Sequence, residues 1–224
     1  MSMSELHKPE WYGECAIISD KYNDYVQIKY KCNGTGTLYD YSLFPGINLI
    51  FMDFNCSDIF HEPIPNKNII EIRHYQKGRV EFELRNNKVF HMKEGELCIN
   101  ALANVPAAYS FPFGYSVGLS CVIDKDSIDA KTKQIFSYYN IDVLNLGQEL
   151  EIEKSGFYAG HHSDCYISLM NYTLQKAWKE KITSVLNYWN CFTISNNCGL
   201  KISMKQHIIP KSKLKSLSVS DISL

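Results

Sequence analysis

Between residues 14 and 124 the chain alternates short apolar runs with turn-forming residues, a spacing that predicts strand, turn, strand. Runs at 26–31, 38–43 and 48–54 are rich in Tyr, Ile, Leu and Phe. They are separated by Asn33-Gly34-Thr35-Gly36 and by Pro45-Gly46. Over 68–75 the apolar Ile70 and Ile72 alternate with Glu71 and Arg73, the pattern of a strand with one dry face. Strands at 79–84 and 88–92 flank Asn86-Asn87, where Asn tolerates the positive φ of a hairpin turn. Glu94-Gly95-Glu96 turns into a strand at 97–101, and 117–123 ends the series. Closely spaced antiparallel strands of this kind predict a mainly β fold, a barrel or folded sandwich.

After residue 124 the period changes. Asp124 or Asp126 is placed to cap a helix carrying Ile128, Ile135, Phe136 and Tyr139. The expected division is a barrel over 1–124, a helical linker or dimerisation element over 125–168, and an irregular tail over 169–224. The tail has eight lysines, no arginine and only Glu180 and Asp221 as acids, a net charge of +6 against −7 for residues 1–168. Its Ser, Asn, Thr and Trp follow neither a period of two nor a helical one, so no face is available to bury.

A shifted reading accounts for that tail. When the last base of each codon is joined to the first two of the next, Met170-Asn171, Trp178-Lys179, Trp189-Asn190 and Met204-Lys205 each give glutamate, whatever synonymous codons are used. Permitted codons elsewhere yield segments such as FRIKLLELFYYI, with amphipathic helical spacing, and a later basic one ending EKLKRIRHFL. The expectation is a frame change near the codons for residues 165–169.

Composition narrows the function classes. A chain of 224 residues, 45% hydrophobic, supports one principal core. The acidic body argues against direct phosphate binding there, and the tail's positive charge has no helical face on which to gather. Eight cysteines without a Cys-x-x-Cys pair read as reduced, mostly buried thiols. No run approaches the length of a membrane span, so a cytoplasmic location without membrane partners is expected.

Candidate chemistry is sparse. His74 and His91 lie in separate segments and the adjacent His161 and His162 would point apart on a strand, so no metal site is expected. Cys98 and Cys121 sit in apolar strands rather than the electropositive, partly exposed setting of a catalytic thiol. No phosphate loop, nucleophile elbow or His-Glu-x-x-His occurs. No cofactor and no catalytic residue is assigned. Glu71 and Arg73 share one strand face, and Glu81 and Glu83 share another; these faces either point into the barrel to meet a ligand or are solvated. Tyr109, Phe111, Phe113 and Tyr115 alternate as an aromatic wall, either core or ligand cage. The ligand-binding candidates are Glu71, Arg73, Glu81, Tyr109, Phe111 and Phe113.

The segments Leu43-Phe44-Pro45-Gly46-Ile47-Asn48-Leu49-Ile50, Met52-Asp53-Phe54, Glu71-Ile72-Arg73-His74-Tyr75, Gly78-Arg79-Val80-Glu81, Glu94-Gly95-Glu96-Leu97 and Ser110-Phe111-Pro112-Phe113-Gly114-Tyr115 occur in that order. Over residues 10–168 they resemble the N-terminal sensing domain of AraC-type transcriptional regulators, and the shifted tail looks like the linker helices that follow it. The resemblance implies a cupin-like barrel binding a small effector of unknown identity and a helical element forming a homodimer. It also implies two helix-turn-helix motifs, the second helix of each reading base edges in the major groove. Nothing after residue 169 supplies those motifs, so DNA binding is expected only through a missing C-terminal domain. The alternative reading is a small cupin-fold enzyme or metabolite-binding protein.

Overall fold

The structure is a computed structural model; it describes residues 12–13, 15–22, 25–60, 68–83, 88–101, 106, 108–138 and 144–145, and the backbone strands at 157–161 and 208–210. The fold is mainly β and antiparallel. In chain order the strands are β1 (Ala16–Lys21), β2 (Val26–Tyr30), β3 (Gly34–Phe44), β4 (Ile47–Cys56), β5 (Asp58–Phe60), β6 (Ile69–Gly78), β7 (Val80–Glu83), β8 (Lys88–Met92), β9 (Glu96–Ala101), β10 (Ala108–Ser110) and β11 (Ser116–Asp124). The helix α1 (Ala130–Tyr138), β12 (Phe157–His161) and β13 (Ile208–Pro210) follow. One sheet runs β1-β2-β3-β4-β11-β6-β9-β12 and the other β13-β8-β7-β10-β5.

Alternation along the central strands builds two cores. On β4, Ile47 and Leu49 enter one core while Ile50, Met52 and Phe54 enter the other; on β11, Leu119, Cys121 and Ile123 divide from Val122 in the same way. The first core lies on the sheet face that α1 covers, where Phe136 is fully buried and meets Phe44 edge-on at 6.0 Å. The second joins residues of both sheets, Met52 and Tyr75 with Phe82, Phe90 and Tyr109, and is the barrel interior.

Burial on both faces changes the reading of β6. Every residue from Ile69 to Tyr75 is buried, so this strand has no wet face. Ile70 and Ile72 meet the helix-covered core, and Glu71 and Arg73 take the opposite side, toward the barrel interior.

The eight strands expected from pattern are all present, with β3 longer than its apolar run. Its start at Gly34 moves the preceding turn to residues 32–33. The short strands β5 and β10 carry too few residues for a period to show, and β1, β12 and β13 were likewise unmarked. β12 falls within the 125–168 stretch and pairs with β9, while β13 falls within the 169–224 stretch and pairs with β8. The Asn86-Asn87 turn, Tyr139, His162 and the rest of the tail lie outside the described residues.

Helix capping is corrected by one turn of chain. Asp124 caps a 3-10 turn at Lys125–Ser127, accepting from the Asp126 N–H. α1 is capped instead by Asp129, whose Oδ1 accepts from Thr132 N–H at 2.7 Å. The corner between β3 and β4 requires Gly46: its φ is +79°, and a Cβ there would lie 2.6 Å from the Asp124 carbonyl oxygen.

Candidate functional site

β6 is the organising strand of the site because β11 and β9 flank it in register. Arg73 stands opposite Ser120 on β11 and Cys98 on β9, and Glu71 opposite Val122 and Asn100. Inward residues of β3, β4, β6 and β11 line a cavity of about 50 Å³; β10 contributes Tyr109, and Phe111 follows it. The walls are apolar at Leu38, Ile50, Met52, Phe54, Ile59 and Val122. Their polar counterparts are Glu71, Arg73, Ser120 and the tyrosines 12, 30, 75 and 109.

Charge is concentrated in one pair. Arg73 Nε lies 2.6 Å from Glu71 Oε1, with both side chains under a tenth exposed. The Nε–H is not directed along a hydrogen bond, so the contact is an ion pair held by distance rather than by a linear bond. Ser120 Oγ donates to the same carboxylate oxygen at 2.5 Å. The guanidinium is also covered by aromatic rings, its Cζ lying 4.8 Å from the centroid of Tyr109 and 5.8 Å from that of Phe82.

Titration follows from these neighbours. Burial is the largest single influence and works against the Arg73 charge, but Glu71, Tyr109 and Tyr75 together outweigh it and hold the guanidinium well above its ordinary value. Burial pushes the hydroxyls of Tyr30, Tyr75 and Tyr109 above theirs, against the pull of Arg73. The site therefore presents one internally neutralised ion pair and neutral phenols. Tyr30 donates to the Tyr12 carbonyl at 2.9 Å, while the buried Tyr12 hydroxyl has no hydrogen-bond partner among the described residues.

Of the six residues singled out from sequence, four come together here: Glu71, Arg73, Tyr109 and Phe111. Glu81 lies on β7, half-buried, and pairs with Arg79 at 2.9 Å. Phe113 is 58% exposed and Tyr115 43%, because β10 ends at Ser110 and the chain turns over Pro112–Gly114, which stops the alternation at Phe111. Tyr12, Tyr30, Tyr75 and Ser120 were not anticipated. Ser120 carried a signal, a lone hydroxyl in the apolar run Val117–Ile123 on the face opposite Leu119 and Cys121.

Of the described histidine side chains, His74 is buried on β6 on the other face from Arg73, and His91 belongs to the second sheet. Among the described residues no group of three or more His, Cys, Asp or Glu is placed to hold a metal ion. Cys98 and Cys121 are buried, and burial pushes both thiols up to about 12. No described helix is long and apolar enough to cross a membrane.

No family model matches the chain, and no curated protein matches it. Solved structures do. The AraC-like transcriptional activator CuxR is 10% identical over 73% of this chain and 54% of its own, with a TM-score of 0.40. ToxT from Vibrio cholerae, solved with a methylnaphthalenyl butenoic acid, is 13% identical over 80% and 66%, with a TM-score of 0.39. The cupin domain of an XRE family transcriptional regulator from Enterobacter cloacae is 15% identical over 38% and 94%, with a TM-score of 0.31. This chain spans about half of the length of CuxR and two thirds of that of ToxT. At these scores the likeness is partial, and the fold stands on the chain's own strand pairing.

Proposed function

We propose that this chain is the effector-sensing and dimerisation part of an AraC-type transcription regulator, its barrel binding a small uncharged molecule beside Glu71 and Arg73. The observation that carries the reading is an ion pair buried in the wall of an otherwise largely apolar cavity. Such a pair adds little stability over apolar residues of the same volume, so a recognition role accounts for it better than packing does. The ordered motifs shared with AraC-type sensing domains supply the regulatory half of the proposal.

The charge balance selects the ligand. An anion would place a second negative charge beside Glu71, and a cation a second positive charge beside Arg73; either would enter a low-dielectric site uncompensated. A neutral molecule leaves the pair intact and offers its acceptor to the guanidinium or to the Tyr12 hydroxyl. Size matters too: about 50 Å³ is a third of the roughly 150 Å³ that admits benzene in an engineered cavity. A ligand of that size requires the wall to open, which is how occupancy would reach the rest of the fold.

The test is a thermal-shift screen of neutral metabolites against the full chain. A ligand at one hundred times its Kd stabilises the folded state by about 2.7 kcal/mol. The expected result is a hit that Arg73→Met combined with Glu71→Leu, a double variant that strands no charge, abolishes; a panel without hits, or hits indifferent to the double variant, overturns the site. Sedimentation of the full chain as a monomer at micromolar concentration overturns the homodimer.

A further inference from the structure

Outside the charged pair, the structure places two thiols against each other behind the wall of the cavity. Cys56 ends β4 on the face that carries Met52 and Phe54 into the barrel, and it is 3% exposed. Cys32 lies in the turn before β3, half-buried, packed against the same core. The register brings Gly34 opposite Cys56 and Gly36 opposite Phe54. A Cβ on Gly36 would lie 3.4 Å from the Cys32 sulfur and 2.9 Å from the Phe54 ring, so the missing side chain makes the space that both occupy. The sulfur of Cys32 thereby lies on the face of β3 and β4 that carries Cys56, near enough for the two thiols to influence each other.

We propose that Cys32 and Cys56 are a peroxide-sensitive thiol pair that closes to a reversible disulfide. Cys32 is the partner that meets the oxidant, since it is the more exposed. Its thiolate attacks one peroxide oxygen, the O–O bond breaks, and a sulfenic acid and hydroxide result. The Cys56 sulfur then displaces the sulfenic oxygen, which leaves as water carrying the Cys56 proton. Two thiols are oxidised and one peroxide is reduced to two waters, with a low-molecular-weight thiol reversing the bond. Burial, and then contact with Cys32, push the Cys56 thiol up to about 12, which disfavours it as the thiol that meets the oxidant. Closure ties the turn before β3 to the end of β4, two residues from Phe54 in the cavity wall. This inference stands apart from the effector reading, since it rests on other residues.

The experiment treats the folded full chain with a small excess of hydrogen peroxide, blocks free thiols, digests without reductant and maps crosslinks by mass spectrometry. The expected result is a Cys32–Cys56 peptide that disappears with dithiothreitol. Cys32→Ser should abolish it, and Cys56→Ser should instead leave Cys32 as a sulfenic acid that dimedone traps. Cys32 crosslinked to Cys15 or to any other cysteine overturns the proposal, as does a wild-type chain in which both thiols remain reduced while others oxidise. The mapping uses wild-type protein, so it stands even where a variant fails to fold.

Discussion

Arg73 and Glu71, two residues apart on β6, form an ion pair at 2.6 Å with both side chains turned into the barrel rather than to solvent. Removing one partner strands the other charge in an apolar wall. Glu71→Gln is therefore expected to destabilise the chain by about 3–5 kcal/mol, whereas Glu71→Leu with Arg73→Met should recover most of that loss. Urea denaturation of the two variants decides it. A double variant no better than the single one would show that the pair itself, rather than the stranded charge, carries the stability.

Asp129 caps α1, and its hydrogen bonds from Thr132 hold the carboxyl below its ordinary value. A depressed folded-state pKa contributes stability above the unfolded pKa that is lost as the pH falls through the folded one. Asp129→Ala should lower the melting temperature at neutral pH, with the gap to wild type closing on acidification below the usual carboxylate range. Asp129→Asn, which still caps, should fall between the two. Thermal melts across that range check the sign.

Gly46 and Gly114 both have positive φ, but only Gly46 is crowded, with Asp124 O at 2.6 Å and Ile128 N at 2.8 Å from the Cβ position. Gly114 has nothing within 4 Å. Gly114→Ala should cost roughly 1 kcal/mol from backbone strain alone, and Gly46→Ala clearly more because the β3–β4 corner and the start of the helical segment must separate. Equal denaturation midpoints for the two variants would refute the steric account.

Burial pushes Cys98 and Cys121 up to about 12. Folded, the two should resist iodoacetamide at pH 8 while the half-buried Cys15 and Cys32 are alkylated, and urea should make Cys98 and Cys121 react as well. A thiol whose folded pKa is raised stabilises below its unfolded value, about 8.5, and loses that contribution as the pH climbs through the folded value. Stability should accordingly fall above pH 9. Peptide mapping of the alkylated cysteines gives the site-by-site answer.

Much of the barrel was legible because alternation is local. Ile70-Glu71-Ile72-Arg73 announces a strand whose apolar and charged residues take opposite faces, and Pro45-Gly46 announces the corner that positive φ demands. Short β5 and β10 were invisible, since three residues carry no period. The aromatic series from Tyr109 to Tyr115 misled for the opposite reason: its alternation continues through Pro112 and Gly114, where the backbone is no longer a strand.

What the residues alone determined is the class of the fold, the places of eight of its strands and the separation of Glu71 and Arg73 from Ile70 and Ile72. Which of those faces points into the barrel was decided only by tertiary structure. α1 covers the isoleucine side and the second sheet closes over the charged side, so burial of a charge depends on elements far along the chain. Ser120 reaching Glu71, and Cys32 coming near Cys56 over Gly36, arise in the same way. Strand periodicity is a property of neighbouring residues, whereas a site is a property of register between strands, and register is set by the whole sheet.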